Sequence, residues 1–227
     1  MKKARRSRKI VLAIDVGGTH VKVMTSKDRI RRKFASGPRL SARAMVKKVK
    51  ELTSDWSYDV VSVGYPGPVT QNRPVVEPHN LGKGWAGFDF HKAFRRPTRV
   101  INDALMQALG SYQGGRMLFL GLGTGLGAAM IIEGVLEPME IAHLLYKNGK
   151  SFEHYAGAAG LKRLGKKQWR RAVKDIIDRL TAALQPDYVV LGGGNATEVG
   201  RLPKHVRLGD NANAFEGGFR LWQSRRG

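Results

Sequence analysis

Cysteine is missing from the sequence altogether. Its absence excludes a disulfide framework, a thiolate nucleophile and any zinc cluster built on thiolates, while His and carboxylate metal sites stay open. Long apolar runs are missing too, since no segment approaches the roughly 20 apolar residues of a membrane-spanning helix. The basic stretch Met1–Lys9 precedes the apolar run Ile10–Ile14, but Asp15 breaks that run far too early for a signal peptide. Acidic residues are scarce, 18 against 40 Lys and Arg, which leaves a net charge of +22. What remains is an ordinary globular composition: 227 residues, 42% hydrophobic. A chain of that length buries roughly 70% of its unfolded surface, so it folds as one large domain or two small ones. A soluble, cytoplasmic protein is the expectation.

The charge is concentrated. Residues 1–50 hold 17 Lys and Arg against 2 Asp and Glu, whereas residues 101–150 hold 3 against 4. Such a field draws polyanions and makes their association salt-dependent. Phosphate-rich small molecules, inorganic polyphosphate, nucleic acid and anionic membrane are all candidates. Lys2, Lys3, Arg5, Arg6, Arg8 and Lys9 equally suit a solvated tail that aids solubility.

The patterning is that of an α/β protein. Ile10–Val16 reads as a buried strand, Gly17-Gly18 as a tight turn, and Val21 and Val23 alternate with Lys22 in a returning strand, so the three form a hairpin. Ser41 can cap a helix whose face is Met45, Val46, Val49 and Leu52. Strands follow at Val60–Val63 and Arg99–Asn102. The second half repeats the theme, with a strand at Met117–Leu122, a glycine turn at Gly123–Gly127 and a strand at Ala128–Ile132. From Trp169 to Leu184 the apolar residues keep helical spacing, which marks a packing helix. Pro186 ends it, and Asp187–Leu191 is a strand running into Gly192-Gly193-Gly194.

Three glycine turns thus follow buried strands, and turns without side chains let successive backbone N–H groups converge on phosphate oxygens. The one Gly-Lys-Ser, Gly149-Lys150-Ser151, has Leu144 where the Walker pattern needs its first glycine, and the second turn leads into a strand, so neither the Walker pattern nor the dinucleotide fingerprint applies. Asp15, Thr19 and Lys22 place a carboxylate, a hydroxyl and an ammonium around the first turn. Asn102-Asp103 puts an acid directly after a strand, though such a pair is often only a helix cap.

The order Asp15-Val16-Gly17-Gly18-Thr19, Gly64-Tyr65-Pro66-Gly67-Pro68-Val69, Asn80-Leu81 with Trp85, Asn102-Asp103, Gly123-Thr124-Gly125-Leu126-Gly127, Glu140-Ile141-Ala142-His143 and Leu191–Gly194 resembles the ROK sugar kinases (repressor, open reading frame, kinase). The likeness runs from about Ile10 to the C-terminus and is closest to the polyphosphate glucokinases, whose short basic chains it shares. The resemblance implies an actin- and hexokinase-like fold of two ribonuclease-H-like lobes with substrates meeting in an interlobe cleft. It implies a small lobe of residues 1–101, onto which 212–227 can return, and a large lobe of 102–211. Asp103 would be the general base on the sugar 6-hydroxyl. Asn80, Asn102, Glu140, His143 and Glu153 would hold the sugar. Asp15, Gly17, Gly18, Thr19, Lys22, Gly123, Thr124, Gly125, Gly127, Gly193 and Gly194 would bind the phosphoryl donor, with Asp15 orienting magnesium through water. Glu140 and His143, three apart, would share one helix face if that segment is helical. A buried, hydrogen-bonded histidine is the plain alternative for His143.

Two departures qualify the likeness. Many ROK proteins continue past the equivalent of His143 into a cysteine-rich zinc loop; here only Leu144–Ser151 separates it from Glu153, so no zinc is expected and packing must hold the loop. The ROK repressors carry a helix-turn-helix domain before the first strand, whereas about nine residues precede it here. The implied activity is phosphoryl transfer from polyphosphate, alone or beside ATP, to the 6-hydroxyl of glucose or a related hexose such as mannose. The implied assembly is a homodimer, without membrane or specific nucleic-acid partners. Arg29, Arg31, Arg32 and Lys33 could form part of a basic track for a long donor. The alternatives are a strictly ATP-dependent glucokinase and a non-catalytic binder of polyanions or nucleic acid on a kinase fold.

Overall fold

The computed structural model describes residues 9–210 and 212–223. The basic residues Lys2, Lys3, Arg5, Arg6 and Arg8 lie outside them. The chain divides into two compact units, the first comprising residues 9–103 and 218–223 of the described chain, the second 104–217.

In the first unit, β1 (Val11–Val16), β2 (His20–Thr25), β3 (Arg31–Ala35), α1 (Ala42–Leu52), β4 (Val60–Tyr65), the small pair β5 (Val69–Thr70) and β6 (Arg73–Pro74), α2 (Phe90–Phe94) and β7 (Thr98–Asn102) follow one another. The sheet order is β3-β2-β1-β4-β7. The first three strands pair antiparallel, and β1, β4 and β7 run parallel. Strand β1 is buried along its whole length, Asp15 included, as a central strand covered on both faces should be. In β2 burial alternates: Val21, Val23 and Thr25 face one side, His20, Lys22 and Met24 the other. The first side packs Ile14, Val21, Val23, Val61 and Val63 against Met45, Val46 and Val49 of α1 and the rings of Trp85, Phe90 and Phe94. Ser41 caps α1 by accepting from the Ala44 N–H, a bond of about 1 kcal/mol. On the opposite side, Ser62 donates to Gly218 O and accepts from the Trp222 indole, which fastens residues 218–223 to this sheet.

The second unit continues with α3 (Asp103–Ser111, whose first residue belongs to the first unit), β8 (Arg116–Leu122), β9 (Leu126–Ile132), β10 (Val135–Met139), α4 (Phe152–Ala156), α5 (Ala158–Leu184), β11 (Tyr188–Gly192), β12 (Val206–Leu208) and α6 (Asn213–Arg220). Its sheet order, β10-β9-β8-β11-β12, repeats the first sheet, with the same change from antiparallel to parallel pairing. The two glycine hairpins, β1–β2 and β8–β9, occupy the same place in their sheets, which gives the sequence repeat a structural meaning. Helix α5 lays Trp169, Val173, Ile176, Ile177 and Leu180 on Leu118, Leu120, Val189 and Leu191. It begins eleven residues before the predicted Trp169 and is broken at Gly165, whose φ of 70° and ψ of 162° are not helical. No helix among the described residues is long and apolar enough to cross a membrane.

Candidate active site

In the first unit the turn after β1 is closed by the Gly17 N–H donating to His20 O at 3.0 Å. Ser36, just past β3, locks it from the side: its N–H donates to Thr19 O at 3.0 Å and its hydroxyl to Gly17 O at 2.8 Å. Asp15 is buried at the end of β1, with Lys22 Nζ 3.2 Å from its Oδ2. A Cβ on Gly18 would lie 3.3 Å from the Asn80 Cβ, so the predicted sugar residue Asn80 sits directly against the predicted phosphate turn. The loop bearing Asn80 is shaped by Glu77, whose carboxylate accepts from the N–H groups of Gly84 and Trp85, both at 3.1 Å. The bond from Trp85 N–H is the main reason the Glu77 carboxyl is held below its ordinary range, with those from Gly84 and Ala86 adding to it. Trp85 is fully buried and its indole donates to Leu40 O. Tyr65 donates to Val76 O at 2.7 Å, and burial, then the nearby Glu77 charge, pushes its hydroxyl well above the usual tyrosine range. At the end of β7, Asn102 donates to Gly67 O at 3.2 Å. Asp103 follows as the first residue of α3 and is half-buried.

In the second unit the β8–β9 turn is held on three sides. Glu153 Oε2 accepts from Leu126 N–H at 3.1 Å. The Ala158 N–H at the start of α5 donates to the carbonyls of Gly123 and Thr124. The Asn195 side chain donates to Gly123 O at 3.2 Å. A Cβ on Gly125 would lie 2.2 Å from Glu153 Oε2, so a side chain there would have to displace that carboxylate, and Gly193, at φ 83°, lies against the backbone of Leu122. The predicted donor residues Gly123–Gly127, Gly193 and Gly194 and the predicted sugar residue Glu153 therefore form one cluster.

Glu140 and His143 do not share a helix face. Ile141–His143 is a single 3₁₀ turn, and Glu140 before it, at φ −105° and ψ 56°, lies outside helical geometry. Ala142 is buried, whereas Glu140 and His143 are exposed, so His143 is not the buried core histidine of the plain alternative.

The segment from His143 to Glu153 has its own anchor. Asp175 of α5 accepts from the Tyr146 hydroxyl at 2.6 Å and pairs with Arg179 at 3.1 Å and Lys147 at 3.3 Å. The Tyr146 ring packs edge-on against Phe152 and Tyr155. The Tyr146 hydroxyl chiefly, with Arg179 and Lys147, lowers the Asp175 carboxyl. Neither this anchor nor Glu77 was legible in the sequence. Glu77 bonds backbone N–H groups, and Asp175 meets Tyr146 across 29 residues.

The profile described as ROK family matches residues 11–137, more than half of the chain. The chain belongs to the ROK family. Among relatives in this family's range of similarity is a glucokinase of Pyrobaculum calidifontis, 30% identical over 155 residues, which are 63% of this chain and 47% of the relative. A polyphosphate glucokinase of Mycobacterium leprae is 27% identical over 220 residues, 86% of this chain and 66% of the relative. The chain thus spans about half the length of the first and just under two thirds of the second. The crystal structure of an inorganic polyphosphate/ATP-glucomannokinase from Arthrobacter sp. strain KM superposes with a TM-score of 0.77 at 23% identity, covering 94% of this chain and 98% of the other. The fold is accordingly that of the ROK sugar kinases, the actin- and hexokinase-like α/β class, as the motif order implied.

Magnesium, which the family likeness implies, finds a modest donor set. Among the described residues no three His, Asp or Glu side chains converge, and Asp15 stands alone with one oxygen at Lys22. That suits an ion that arrives on donor phosphates and keeps most of its water, as magnesium commonly does, and does not suit an all-protein cage.

Proposed function

We propose that the chain is a hexose kinase that moves a phosphoryl group from inorganic polyphosphate, or from ATP, to the 6-hydroxyl of glucose or a related hexose such as mannose. The observation that carries this reading is the placing of Asp103, the acid of the Asn102-Asp103 pair, at a strand-to-helix junction whose preceding side chain is tied to Gly67. A general base has to be held rigidly to meet a hydroxyl proton. The names of the Mycobacterium and Pyrobaculum relatives support the substrate class.

Asp103 accepts the proton of the sugar 6-hydroxyl as its oxygen bonds to the terminal phosphorus and the bond to the remaining donor breaks. Asn80, Asn102, Glu140, His143 and Glu153 orient the sugar. The turns at Gly17–Thr19 and Gly123–Gly127, with Gly193 and Gly194, offer donor phosphates the backbone N–H groups that are not bonded within the site, as those of Gly17, Gly123 and Leu126 are, and Lys22 adds a charge. Phosphoryl transfer asks for positioning and charge stabilisation more than covalent work. Magnesium, when bound, supplies further charge stabilisation to the phosphoryl oxygens, with Asp15 holding its water. The reading also carries the homodimer implied by the family likeness, which light scattering would test.

Polyphosphate is favoured as a donor because +22 exceeds what the few charges of ATP require. Parallel assays with glucose and either donor test this. Replacing Asp103 by Asn should lower turnover about 10²–10⁴-fold with both donors, and a variant that kept its activity would remove Asp103 from the mechanism.

A further inference from the structure

The basic stretch at Arg31, Arg32 and Lys33 lies in strand β3, one edge of the first sheet. Alternation along it separates three neighbouring cations by purpose. Arg32 points to the α1 side: its two terminal nitrogens donate to the Asp55 carboxylate, at 2.5 and 2.7 Å, Nη1 also donates to Leu52 O at 2.6 Å, and the guanidinium lies over the Trp56 ring at 4.4 Å. It is a structural residue, which corrects its assignment to a donor track. Arg31 and Lys33 point to the other side and are exposed.

On that other side the register is specific. Asp15 stands opposite Lys22, and Lys22 opposite Lys33, so the three form one row across β1, β2 and β3. Arg31 lies two residues from Lys33 on the same face. Like charges directly opposite one another across strands are destabilising. Only Lys22 has an acid, Asp15, and no carboxylate among the described residues pairs with Lys33 or Arg31 within salt-bridge distance. Asp28, the one acid between residues 16 and 50, is turned onto the Thr25 hydroxyl, on the opposite side of β2. Charged side chains on an edge strand also guard against edge-to-edge pairing. That accounts for cations on β3, but not for a lysine placed against a second lysine one strand inside the edge. The row also has a fixed origin, because Ser36, the residue after β3, bonds both Gly17 O and Thr19 O of the phosphate turn.

We propose that a polyphosphate chain, beyond its reacting end at the Gly17–Thr19 turn, lies along Lys22, Lys33 and Arg31. With strands about 4.8 Å apart, the row extends about 10 Å from β1 to β3. A linear polyanion relieves the Lys22–Lys33 repulsion along its length, while an adenine ring gains nothing from it. The inference rests on the proposed use of polyphosphate as donor.

The test compares Arg31→Gln/Lys33→Gln with Arg32→Gln and the unaltered chain, using long-chain polyphosphate, tripolyphosphate and ATP at several salt concentrations. The double variant should raise the KM for long-chain polyphosphate about tenfold more than that for ATP or tripolyphosphate. Because two phosphate contacts are lost, its slope of log KM against log salt should fall by about 1.5. Arg32→Gln should lower thermal stability yet keep the ratio of polyphosphate to ATP KM, which separates loss of charge from loss of folding. A double variant with unchanged KM and salt slope, in a chain that does use polyphosphate, overturns the row alone. An unaltered chain that phosphorylates glucose with ATP only overturns the donor reading and the row together. Loss of single-stranded RNA binding with polyphosphate kinetics intact would assign the cations to nucleic acid and likewise overturn the row.

Discussion

Glu153 shows how much one side chain can settle. Its carboxylate occupies the space beside Gly125 and accepts the Leu126 N–H, so a residue assigned to the sugar also fixes the turn assigned to the donor. A Gly125→Ala substitution would drive a methyl group into that carboxylate. It should therefore raise KM for donor and sugar together, by about tenfold or more, and lower the melting temperature. If only the donor KM moved, the two assignments would be independent. The motif residues themselves, Asp15 to Thr19, Asn80, Asn102-Asp103 and the glycines, were legible because their order along the chain is specific. Glu77 was not, since its partners are the N–H groups of Gly84 and Trp85, which no side-chain pattern announces.

Among the elements, the segment from Glu140 to Glu153 is held by Asp175 and the rings around Tyr146, and the protonation of Asp175 governs that hold. Its carboxyl is lowered in the folded protein, first by the Tyr146 hydroxyl. The stabilisation is therefore complete above the ordinary carboxylate range and is lost as pH falls through the lowered value. Tyr146→Phe and Asp175→Asn should each raise the sugar KM more than the donor KM. The difference in melting temperature between the native chain and Asp175→Asn should persist from neutral pH into the ordinary carboxylate range and shrink below it. A difference that grew on acidification would contradict the assignment. The strands and helices with clean periodicity, β1, β4, β8, α1 and most of α5, follow from the sequence because burial on one face or both leaves that signature. Strand β3 does not, because Arg-Arg-Lys-Phe-Ala has a single apolar anchor and takes its alternation from Asp55 and Trp56, residues 23 positions or more away. The condition that would have put Glu140 and His143 on one face, a helical segment, fails at Glu140, whose φ of −105° and ψ of 56° leave it outside the turn.

For the whole molecule, the two sheets repeat one strand order, each with a glycine hairpin in the same place. The charge is uneven in consequence as well as in sequence: part of it, Arg32 among it, is spent on structure, and part faces solvent without an acid. If polyphosphate is the donor, its KM should rise steeply with salt, because a bound polyanion releases counterions, while the ATP KM should change less. A salt-insensitive polyphosphate KM would count against any cationic path. Formation of hexose 6-phosphate from glucose, with polyphosphate and ATP supplied in parallel to the intact chain and to Asp103→Asn, is the most direct measurement. Product from the intact chain, at least with polyphosphate, and a loss of about a hundredfold or more in the variant is the predicted result. No product with either donor, or equal rates from both proteins, would contradict it.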